Sequence, residues 1–180
     1  MKINIRTLPL ILFFLILLVF LYLLQLNRDP SSIPSNLINK NIPYFETESL
    51  LEQKKFISEE EFTNEIILVN FFATWCKPCR DEHVFLNKFK KKNRIKIIGI
   101  NYKDDPEKAI MWLKKLGNPY SNIAIDKNGK IAIDWGVYGI PETFIVDSNK
   151  IIKFRNVGPI NKKLYKKINK LIKNIDSDGY

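Results

Sequence analysis

Residues 65–79 read EIILVNFFATWCKPC and decide the fold expected of this chain. Residues 65–72 are β-branched and aromatic and too few for a typical helix, so they predict a buried central strand. The strand leads into Cys76 and Cys79, which are the only two cysteines among 180 residues. Residues 80–92 place apolar side chains at near-helical spacing and predict an amphipathic helix. The centre of the molecule is therefore a buried strand that ends in two close thiols at the start of a helix.

The segments that follow continue the alternation of strand and helix. Residues 95–101 predict a second buried strand, and residues 105–117 predict a helix. Asp105 is the expected N-cap of that helix and Pro106 suits its first turn, while Gly117 closes it. This order of elements is typical of βαβ units.

The last third of the chain predicts strand pairs and a final helix. Residues 121–126 and 127–135 predict a β-hairpin whose turn is Asn128-Gly129. Residues 142–147 and 150–158 predict a second antiparallel pair, and the lysine-rich segment 161–175 predicts an amphipathic helix. The fold class expected is α/β, in one small layered domain.

The N-terminal segment predicts a membrane anchor. Residues 8–26 carry no charge, and this length is close to the roughly 20 residues that a transmembrane helix needs. A cleaved signal peptide is the alternative, but its apolar region is usually shorter and ends in a small-residue cleavage site, which this sequence lacks. Lys2 and Arg6 precede the span, so the positive-inside rule places the N-terminus in the cytoplasm and the rest of the chain outside it.

These patterns divide the chain into five segments. We expect a cytoplasmic N-terminus at 1–7, a single-pass inner-membrane anchor at 8–26, a linker at 27–36, a folded periplasmic domain at 37–176 and a tail at 177–180. The linker is rich in proline and serine and reads as a tether.

The net charge of +10 does not by itself indicate a nucleic-acid partner. Lysines are scattered along the chain, and their local runs at 88–94 and 162–173 fall on predicted amphipathic helices whose solvated faces need charge. We therefore expect no nucleic-acid binding.

Four uses compete for the two thiols. Structural zinc requires about four Cys or His ligands, and the chain adds only His83. Covalent haem attachment requires C-x-x-C-H, but residue 80 is Arg. A structural disulfide across two intervening residues would constrain the unfolded chain little. Redox catalysis, in which one thiolate attacks a disulfide and the second thiol resolves the intermediate, uses the proximity that the sequence provides.

The local sequence suits redox chemistry. Cys76 lies at the predicted helix N-terminus, where free backbone N–H groups and the helix dipole stabilise a thiolate. Lys77 adds a positive charge, and Pro78 fits the first helical turn without removing a needed donor. The thiols are therefore expected to be a redox-active pair, with no metal and no other cofactor.

Three blocks of sequence, in order, resemble one family. WCKPCRDEH at 75–83, NYKDDPEKAIMWLKKLGNPY at 101–120 and WGVYGIPETFIVD at 135–147 are similar to the membrane-anchored cytochrome c maturation thioredoxins of the DsbE/CcmG family. The resemblance covers nearly all of the predicted domain and implies a thioredoxin-like fold, in which a central mixed sheet is flanked by helices.

The resemblance also implies roles for individual residues. Cys76 is the expected exposed, attacking thiol and Cys79 the buried, resolving thiol. Pro141 matches the family's cis-proline, which faces the dithiol and presents backbone groups to a substrate. The expected substrate-binding residues around the dithiol are Trp75, Tyr138, Ile140, Pro141 and Glu142.

One position departs from ordinary thioredoxins. Their central strand carries a buried Asp that accepts the proton of the resolving thiol, whereas this chain has Asn70, whose amide cannot take that proton. Glu82 lies one helical turn after Cys79. We expect Glu82, partly buried and with a raised pKa, to be the acceptor, and Glu142 to shape the substrate groove.

The function that the resemblance implies is reduction of the disulfide in the C-x-x-C-H haem site of apocytochrome c. The expected partners are apocytochrome c or its haem-lyase assembly partner, and a membrane electron donor of the DsbD/CcdA type. A general thiol oxidoreductase of other periplasmic clients is the main alternative. A copper-delivering metallochaperone, with His83 beside Cys79, is a weaker one, since such sites need more soft ligands. A holdase that keeps apocytochrome without turnover is a further possibility.

Overall fold

The computed structural model describes residues 8–25, 36–52, 54–62, 65–93 and 95–177. These residues form two units, which are described separately. The expected segment 1–7, residue 26 of the expected anchor, residues 27–35 of the expected linker and residues 178–180 of the expected tail lie outside the described residues.

The first unit is helix α1, Leu8–Gln25, with no buried side chain. Within the described part of the chain it is the one helix long and apolar enough to cross a membrane. Its 18 residues extend about 27 Å at the usual helical rise, close to the thickness of a bilayer's hydrocarbon core.

The second unit contains seven strands and four helices among its described residues. Its strands are β1 (Glu46–Glu48), β2 (Phe56–Ser58), β3 (Ile67–Phe72), β4 (Lys96–Tyr102), β5 (Asn122–Asp126), β6 (Glu142–Val146) and β7 (Ile152–Val157). Its helices are α2 (Lys77–Asn93), α3 (Pro106–Leu116), α4 (Lys130–Asp134) and α5 (Lys162–Ser177). A short 3-10 helix, Glu59–Glu61, follows β2. The strands and helices predicted around the two cysteines are confirmed.

The main sheet has five strands in the order β5-β4-β3-β6-β7. Strand β3 is buried at all six positions, as expected for the centre of a sheet that is covered on both faces. It pairs in parallel with β4 and antiparallel with β6, with Phe71 opposite Glu142. The C-terminal end of β3 and the N-terminal end of β6 therefore lie at one edge of the sheet, which brings 73–79 close to 136–141.

Two apolar clusters hold the helices to the sheet. One contains side chains of α2, α3 and α5, such as Phe89, Trp112 and Ile168. The other contains side chains of α4 and of the segment before β3, with Trp135 fully buried in it. The sheet is thus the middle layer of an α/β sandwich.

Gly99 in β4 makes room for an aromatic stack in the first cluster. The rings of Phe72 and Tyr120 are stacked with centroids 4.7 Å apart. A Cβ atom on Gly99 would lie 2.9 Å from ring atoms of both residues. The absence of a side chain at this position is what lets the two rings lie side by side across the strand.

The hairpin predicted at 121–135 is wrong. Strand β5 pairs with β4, and the residues after it form the short helix α4. The cause is Asp126, whose buried carboxylate accepts hydrogen bonds from the N–H groups of Ile131 (3.2 Å) and Ala132 (2.9 Å). These two hydrogen bonds satisfy N–H groups at the start of α4, which in a strand would have to pair with a neighbouring strand. Capping of the helix by Asp126 therefore outweighs the turn propensity of Asn128-Gly129.

The other local signals are confirmed. Asp105 accepts hydrogen bonds from the backbone N–H groups of Glu107 and Lys108 at the start of α3. Strands β6 and β7 form the expected antiparallel pair. In the turn between them the carboxylate of Asp147 accepts from the N–H groups of Asn149 and Ile151.

Candidate active site

Cys76 and Cys79 are joined by a disulfide at the start of α2. Cys76 is the residue directly before the helix, and the backbone N–H of Cys79 donates to its Sγ over 3.1 Å. An N–H group in this position is also suited to stabilise a thiolate at Cys76 in the reduced protein. Together with the positive end of the helix dipole it favours the anionic form of that sulfur.

The expected exposure of Cys76 is wrong for the disulfide state. Cys76 is 4% exposed and Cys79 is 2% exposed, so both lie below the surface. The Sγ of Cys76 lies 3.6 Å from the carbonyl oxygen of Ile140, and the neighbouring Lys77 and Pro78 occupy the solvent side. Access to the disulfide therefore depends on the residues that surround it.

The loop before β6 faces the disulfide. The Ile140–Pro141 peptide bond is cis, as the resemblance implied. The half-buried Ile140 supplies the carbonyl that contacts Cys76, and Pro141 is buried behind it. A disulfide sulfur has no proton to donate, so in this state the contact between sulfur and oxygen is a packing contact.

Two large aromatic side chains are exposed on the segments that meet at the disulfide. Trp75 is 60% exposed and Tyr138 is 73% exposed. The indole N–H of Trp75 donates to the carbonyl oxygen of Lys103 over 3.2 Å, which holds the ring at the surface. Exposed aromatic rings of this kind are common in surfaces that bind peptides.

Glu82 is completely buried, more than the expected partial burial. Its Oε1 accepts from the side-chain N–H of Asn70 over 2.7 Å, and its Oε2 accepts from the backbone N–H of Ile160 over 2.8 Å. Burial raises the pKa of the carboxyl to about 7, against the two hydrogen bonds, which lower it. Glu82 is one helical turn from Cys79, so a group that can exchange a proton near neutral pH lies on the same side of α2 as Cys79.

Asn70 connects Glu82 to a wider buried network. Its Oδ1 accepts from the hydroxyl of Tyr120 over 2.9 Å, and its Nδ2 also donates to the hydroxyl oxygen of Thr143 over 3.1 Å. Burial, and then the charge of Glu82, raise the pKa of Tyr120 well above its ordinary value, so the phenol keeps its proton. Because the Tyr120 O–H donates to Oδ1, the amide of Asn70 is held with its N–H groups toward the carboxylate.

Glu142 is also completely buried, but it has a cationic partner. Its Oε2 accepts from the Nε of Arg155 at 2.8 Å, and the Nη2 of Arg155 lies at the same distance. Its Oε1 accepts from the backbone N–H groups of Tyr138 (2.7 Å) and Gly139 (3.3 Å). Glu142 thereby fixes the loop that carries Tyr138 and Ile140.

Arg155 completes this arrangement from β7. Its Nη2 donates to the carbonyl oxygen of Gly136 over 2.7 Å, and its guanidinium lies 5.0 Å from the centre of the Tyr138 ring. The prediction from sequence did not include Arg155 or Tyr120. An arginine within a predicted strand was the available signal for the first, while nothing in the sequence marks a tyrosine before a strand as a site residue.

His83 and Trp112 pack against each other in the core. His83 is buried, with its Nε2 2.7 Å from the carbonyl oxygen of Gly117 and its ring 4.4 Å from that of Trp112. Burial lowers the pKa of His83, against the hydrogen bond to Gly117, which raises it. The described residues contain no group of three or more His, Cys, Asp or Glu side chains arranged to hold a metal ion.

The comparisons with known proteins agree with this fold and site. Residues 38–172 match the redoxin domain family, which spans the sheet, the disulfide and the cis-proline. A Chlorobium tepidum structure described as a thiol:disulfide interchange protein DsbE has a TM-score of 0.68 at 20% identity, covering 77% of this chain and 96% of that one. A secreted thiol-disulfide isomerase of Corynebacterium glutamicum has a TM-score of 0.66 at 21% identity, covering 75% of this chain and 85% of its own. The fold is thioredoxin-like, and the protein is a thiol:disulfide oxidoreductase.

Relatives of higher identity narrow this class. The chain is 44% identical over 161 residues to the thiol:disulfide interchange protein DsbE of Vibrio cholerae, which covers 88% of this chain and 87% of the relative. It is 42% identical over 169 residues to the protein of the same name from Escherichia coli K12, a match that covers 92% of this chain and 91% of the relative. The chain therefore belongs to the DsbE family of thiol:disulfide interchange proteins, as its three sequence blocks predicted.

Proposed function

We propose that the protein is a membrane-anchored periplasmic reductant of the disulfide in the C-x-x-C-H haem site of apocytochrome c. The observation that carries the proposal is a disulfide at a helix N-terminus that faces the carbonyl of Ile140, one helical turn before the completely buried Glu82. The family assignment supports thiol:disulfide exchange as its chemistry. Helix α1 supports an anchor.

The first step is attack by the reduced protein on the substrate disulfide. The thiolate of Cys76 bonds to one substrate sulfur, the substrate S–S bond breaks, and the second substrate sulfur leaves as a thiolate that takes a proton. The product is a mixed disulfide on Cys76. The N–H of Cys79 and the start of α2 stabilise the attacking thiolate. The exposed rings of Trp75 and Tyr138 bind the substrate chain around the reacting sulfurs.

The second step releases the substrate. Glu82 takes the proton of the Cys79 thiol, and the Cys79 thiolate attacks the Sγ of Cys76. The disulfide between the two cysteines forms, and the substrate sulfur leaves as a thiolate and takes a proton. Two electrons have then passed to the substrate, whose two free thiols are what haem attachment needs.

The protein must be reduced again for each turnover. Its own disulfide receives two electrons from a dithiol donor, for which we propose a membrane electron carrier of the DsbD/CcdA type. The periplasm is kept oxidising, so a local reductant is required there. An anchor would raise the effective concentration of the protein for partners in the same membrane, including a haem-lyase assembly.

The test is to trap the substrate in the native membrane. Cys79→Ser cannot resolve the mixed disulfide, so the client stays bound to Cys76 and is identified by mass spectrometry. Cys76→Ser is the matched control, because it lacks the attacking sulfur and should trap almost nothing. Recovery of proteins with C-x-x-C-H sites, or of a partner that carries them, is the expected result. Recovery of many unrelated exported proteins without cytochromes would instead identify a general thiol oxidoreductase.

A further inference from the structure

Two lysine runs that are far apart in the sequence line one groove. The groove lies between α2 and α5 and has a volume of about 540 Å³. Its lining residues are Phe85, Lys88, Lys92, Lys162, Tyr165, Lys166, Asn169 and Lys173. The sequence alone presents these lysines as the polar faces of two separate helices, but the fold joins them into one basic surface, which we call the lysine groove.

The lysine groove contains no acidic side chain to balance its charge. None of its lining residues is an Asp or a Glu. Its five lysines are exposed, and none of them forms an ion pair with another described residue. Five uncompensated cations in one concavity repel each other and attract an anionic surface.

Carboxylates are concentrated in a different part of the second unit. Residues 46–61 carry six glutamates and two lysines, whereas α5 carries six lysines. A chain that was simply rich in lysine would not require this separation. The domain therefore has a strong charge asymmetry, and an anionic surface would orient it with the lysine groove toward that surface.

The floor of the groove is aromatic. The rings of Phe85 and Tyr165 have centroids 5.7 Å apart, and the Nζ of Lys88 lies 5.1 Å from the centre of the Phe85 ring. Aromatic rings beneath lysine stems match the boundary between lipid headgroups and acyl chains, where one side is polar and the other apolar. An inorganic polyanion such as polyphosphate would use the charges but not the apolar floor, whereas an oligonucleotide could stack on it and is therefore tested separately.

We propose that the lysine groove docks the folded domain on the anionic phospholipid surface of the membrane that holds α1. The proposal rests on the anchoring role of α1 in the proposed function. Ten residues, 26–35, join α1 to the described part of the second unit. A bilayer that holds α1 is therefore tethered to the domain by a short covalent link, which raises the effective concentration at which weak electrostatic contacts act.

The first experiment measures the accessibility of individual lysines in the full chain. The protein is reconstituted in vesicles of phosphatidylcholine alone or with about 30% phosphatidylglycerol, acylated with a membrane-impermeant amine reagent and analysed by peptide mass spectrometry. Labelling of the five groove lysines should fall about fivefold or more in the anionic vesicles. The reason is that each lysine near such a surface increases the binding affinity by roughly that factor. Labelling should recover at about 0.5 M salt. Lys127 and Lys130, next to Glu46 and Glu48, should be labelled equally in both.

The second experiment uses variants of equal charge. Replacing the five groove lysines by Gln lowers the net charge from +10 to +5, as does replacing Lys40, Lys114, Lys115, Lys127 and Lys130, which are also exposed. Lys163 and Lys170 on α5 serve as reporters in both variants. The control variant should keep their protection in anionic vesicles, and the groove variant should lose it.

Three results would overturn the proposal. The first is equal labelling in the two kinds of vesicle, and the second is equal protection of groove and control lysines. The third is full protection of the groove lysines from acylation when soluble inorganic phosphate or an oligonucleotide is added to the protein in neutral vesicles. This result would identify a small-anion or polyanion site instead of a membrane-binding surface. Flotation of the full chain with neutral vesicles tests membrane insertion of α1 separately. If the chain does not float, the proposed anchoring by α1 is wrong, but protection of the groove lysines by added anionic vesicles still decides the role of the groove.

Discussion

Two glutamates near the disulfide are equally buried and have opposite surroundings. Glu82 and Glu142 are both 0% exposed. Glu82 accepts hydrogen bonds only from neutral N–H groups, of Asn70 and Ile160, and burial raises its pKa to about 7. Glu142 is paired with the guanidinium of Arg155. The comparison shows that burial alone does not define the role of a carboxyl group. A carboxyl group among neutral hydrogen-bond donors has a raised pKa and can exchange a proton near neutral pH. A carboxylate that is paired with a cation instead holds neighbouring segments in place.

The largest effect should follow from removing the cation. Arg155→Met leaves the Glu142 carboxylate buried without a counter-ion, which destabilises a protein by about 3–5 kcal/mol. The free energy of unfolding in urea at pH 7 measures it. Lys153→Met is the control, because the side chain of Lys153 is 36% exposed and the Asp147 carboxylate keeps its hydrogen bonds from two backbone N–H groups, so the loss should be about 1 kcal/mol or less. Equal losses in the two variants would contradict the structural role of the buried pair.

The pH dependence of stability should separate the two carboxyl groups. The folded state keeps the Glu82 proton up to about pH 7, whereas the ordinary pKa of a glutamate side chain is 4.5. The contribution of Glu82 to the free energy of unfolding is therefore fully present below about pH 4.5 and is lost as the pH rises through about 7. The rise in the pKa of Glu82 from 4.5 to about 7 corresponds to on the order of 3 kcal/mol.

Glu82→Gln provides the measurement, because its side chain has no proton to lose. Between pH 4.5 and 8 the wild type should lose on the order of 3 kcal/mol relative to this variant. The difference between the two curves removes the contributions of other groups, including His83. Parallel curves would mean that Glu82 is not protonated in the folded protein.

The same variant should slow the resolving step by about a hundredfold, a factor typical of a lost general base. Stopped-flow reduction of a peptide disulfide by the reduced protein, with quenching of the mixed disulfide, measures that step. As the pH is lowered through about 7, the wild-type rate of the resolving step should decrease, because protonated Glu82 cannot accept the thiol proton. This dependence of the rate on pH should be absent in Glu82→Gln. Asp81→Asn is the control, since Asp81 is an exposed neighbour on the same helix. An unchanged rate and pH profile in Glu82→Gln would exclude the proton-acceptor role.

The smallest effect should come from the phenol that orients Asn70. Tyr120→Phe removes one buried hydrogen bond and leaves Oδ1 of Asn70 without its donor, which destabilises the fold by roughly 1–2 kcal/mol. The looser amide donates less well to Glu82, so the carboxyl pKa should rise further and the midpoint of the rate profile should move to higher pH. A loss of stability with an unmoved midpoint would limit Tyr120 to a packing role.

Much of the site was predictable because it is encoded locally or in recognisable blocks. The run 65–72 is dominated by β-branched and aromatic residues, and its consequence, a buried strand that leads to the dithiol, needs no distant partner. Glu82 follows from helical spacing after Cys79. The cis bond before Pro141 came from the family resemblance, since cis bonds occupy only about 5–6% of X-Pro bonds in folded proteins.

The parts that were missed depend on distant contacts. Asp126 decides against a hairpin by bonding to N–H groups five and six residues ahead, a choice that turn propensity does not contain. Arg155 reaches Glu142 across the β6–β7 pair, and the hydroxyl of Tyr120 reaches Asn70 across 50 residues of chain. The low exposure of Cys76 likewise depends on the loop before β6. Such contacts are set by register and packing and not by residue type.

Gly99 carries no functional group, yet it has a consequence for genetic screens. A methyl group at this position would meet the rings of Phe72 and Tyr120 at 2.9 Å, and Tyr120 holds the amide that holds Glu82. An alanine there would therefore be scored as a loss of activity in a scan of variants, although the residue touches neither sulfur nor substrate. Sensitivity to substitution at Gly99 would therefore show that a steric change in β4 is transmitted through Tyr120 and Asn70 to Glu82.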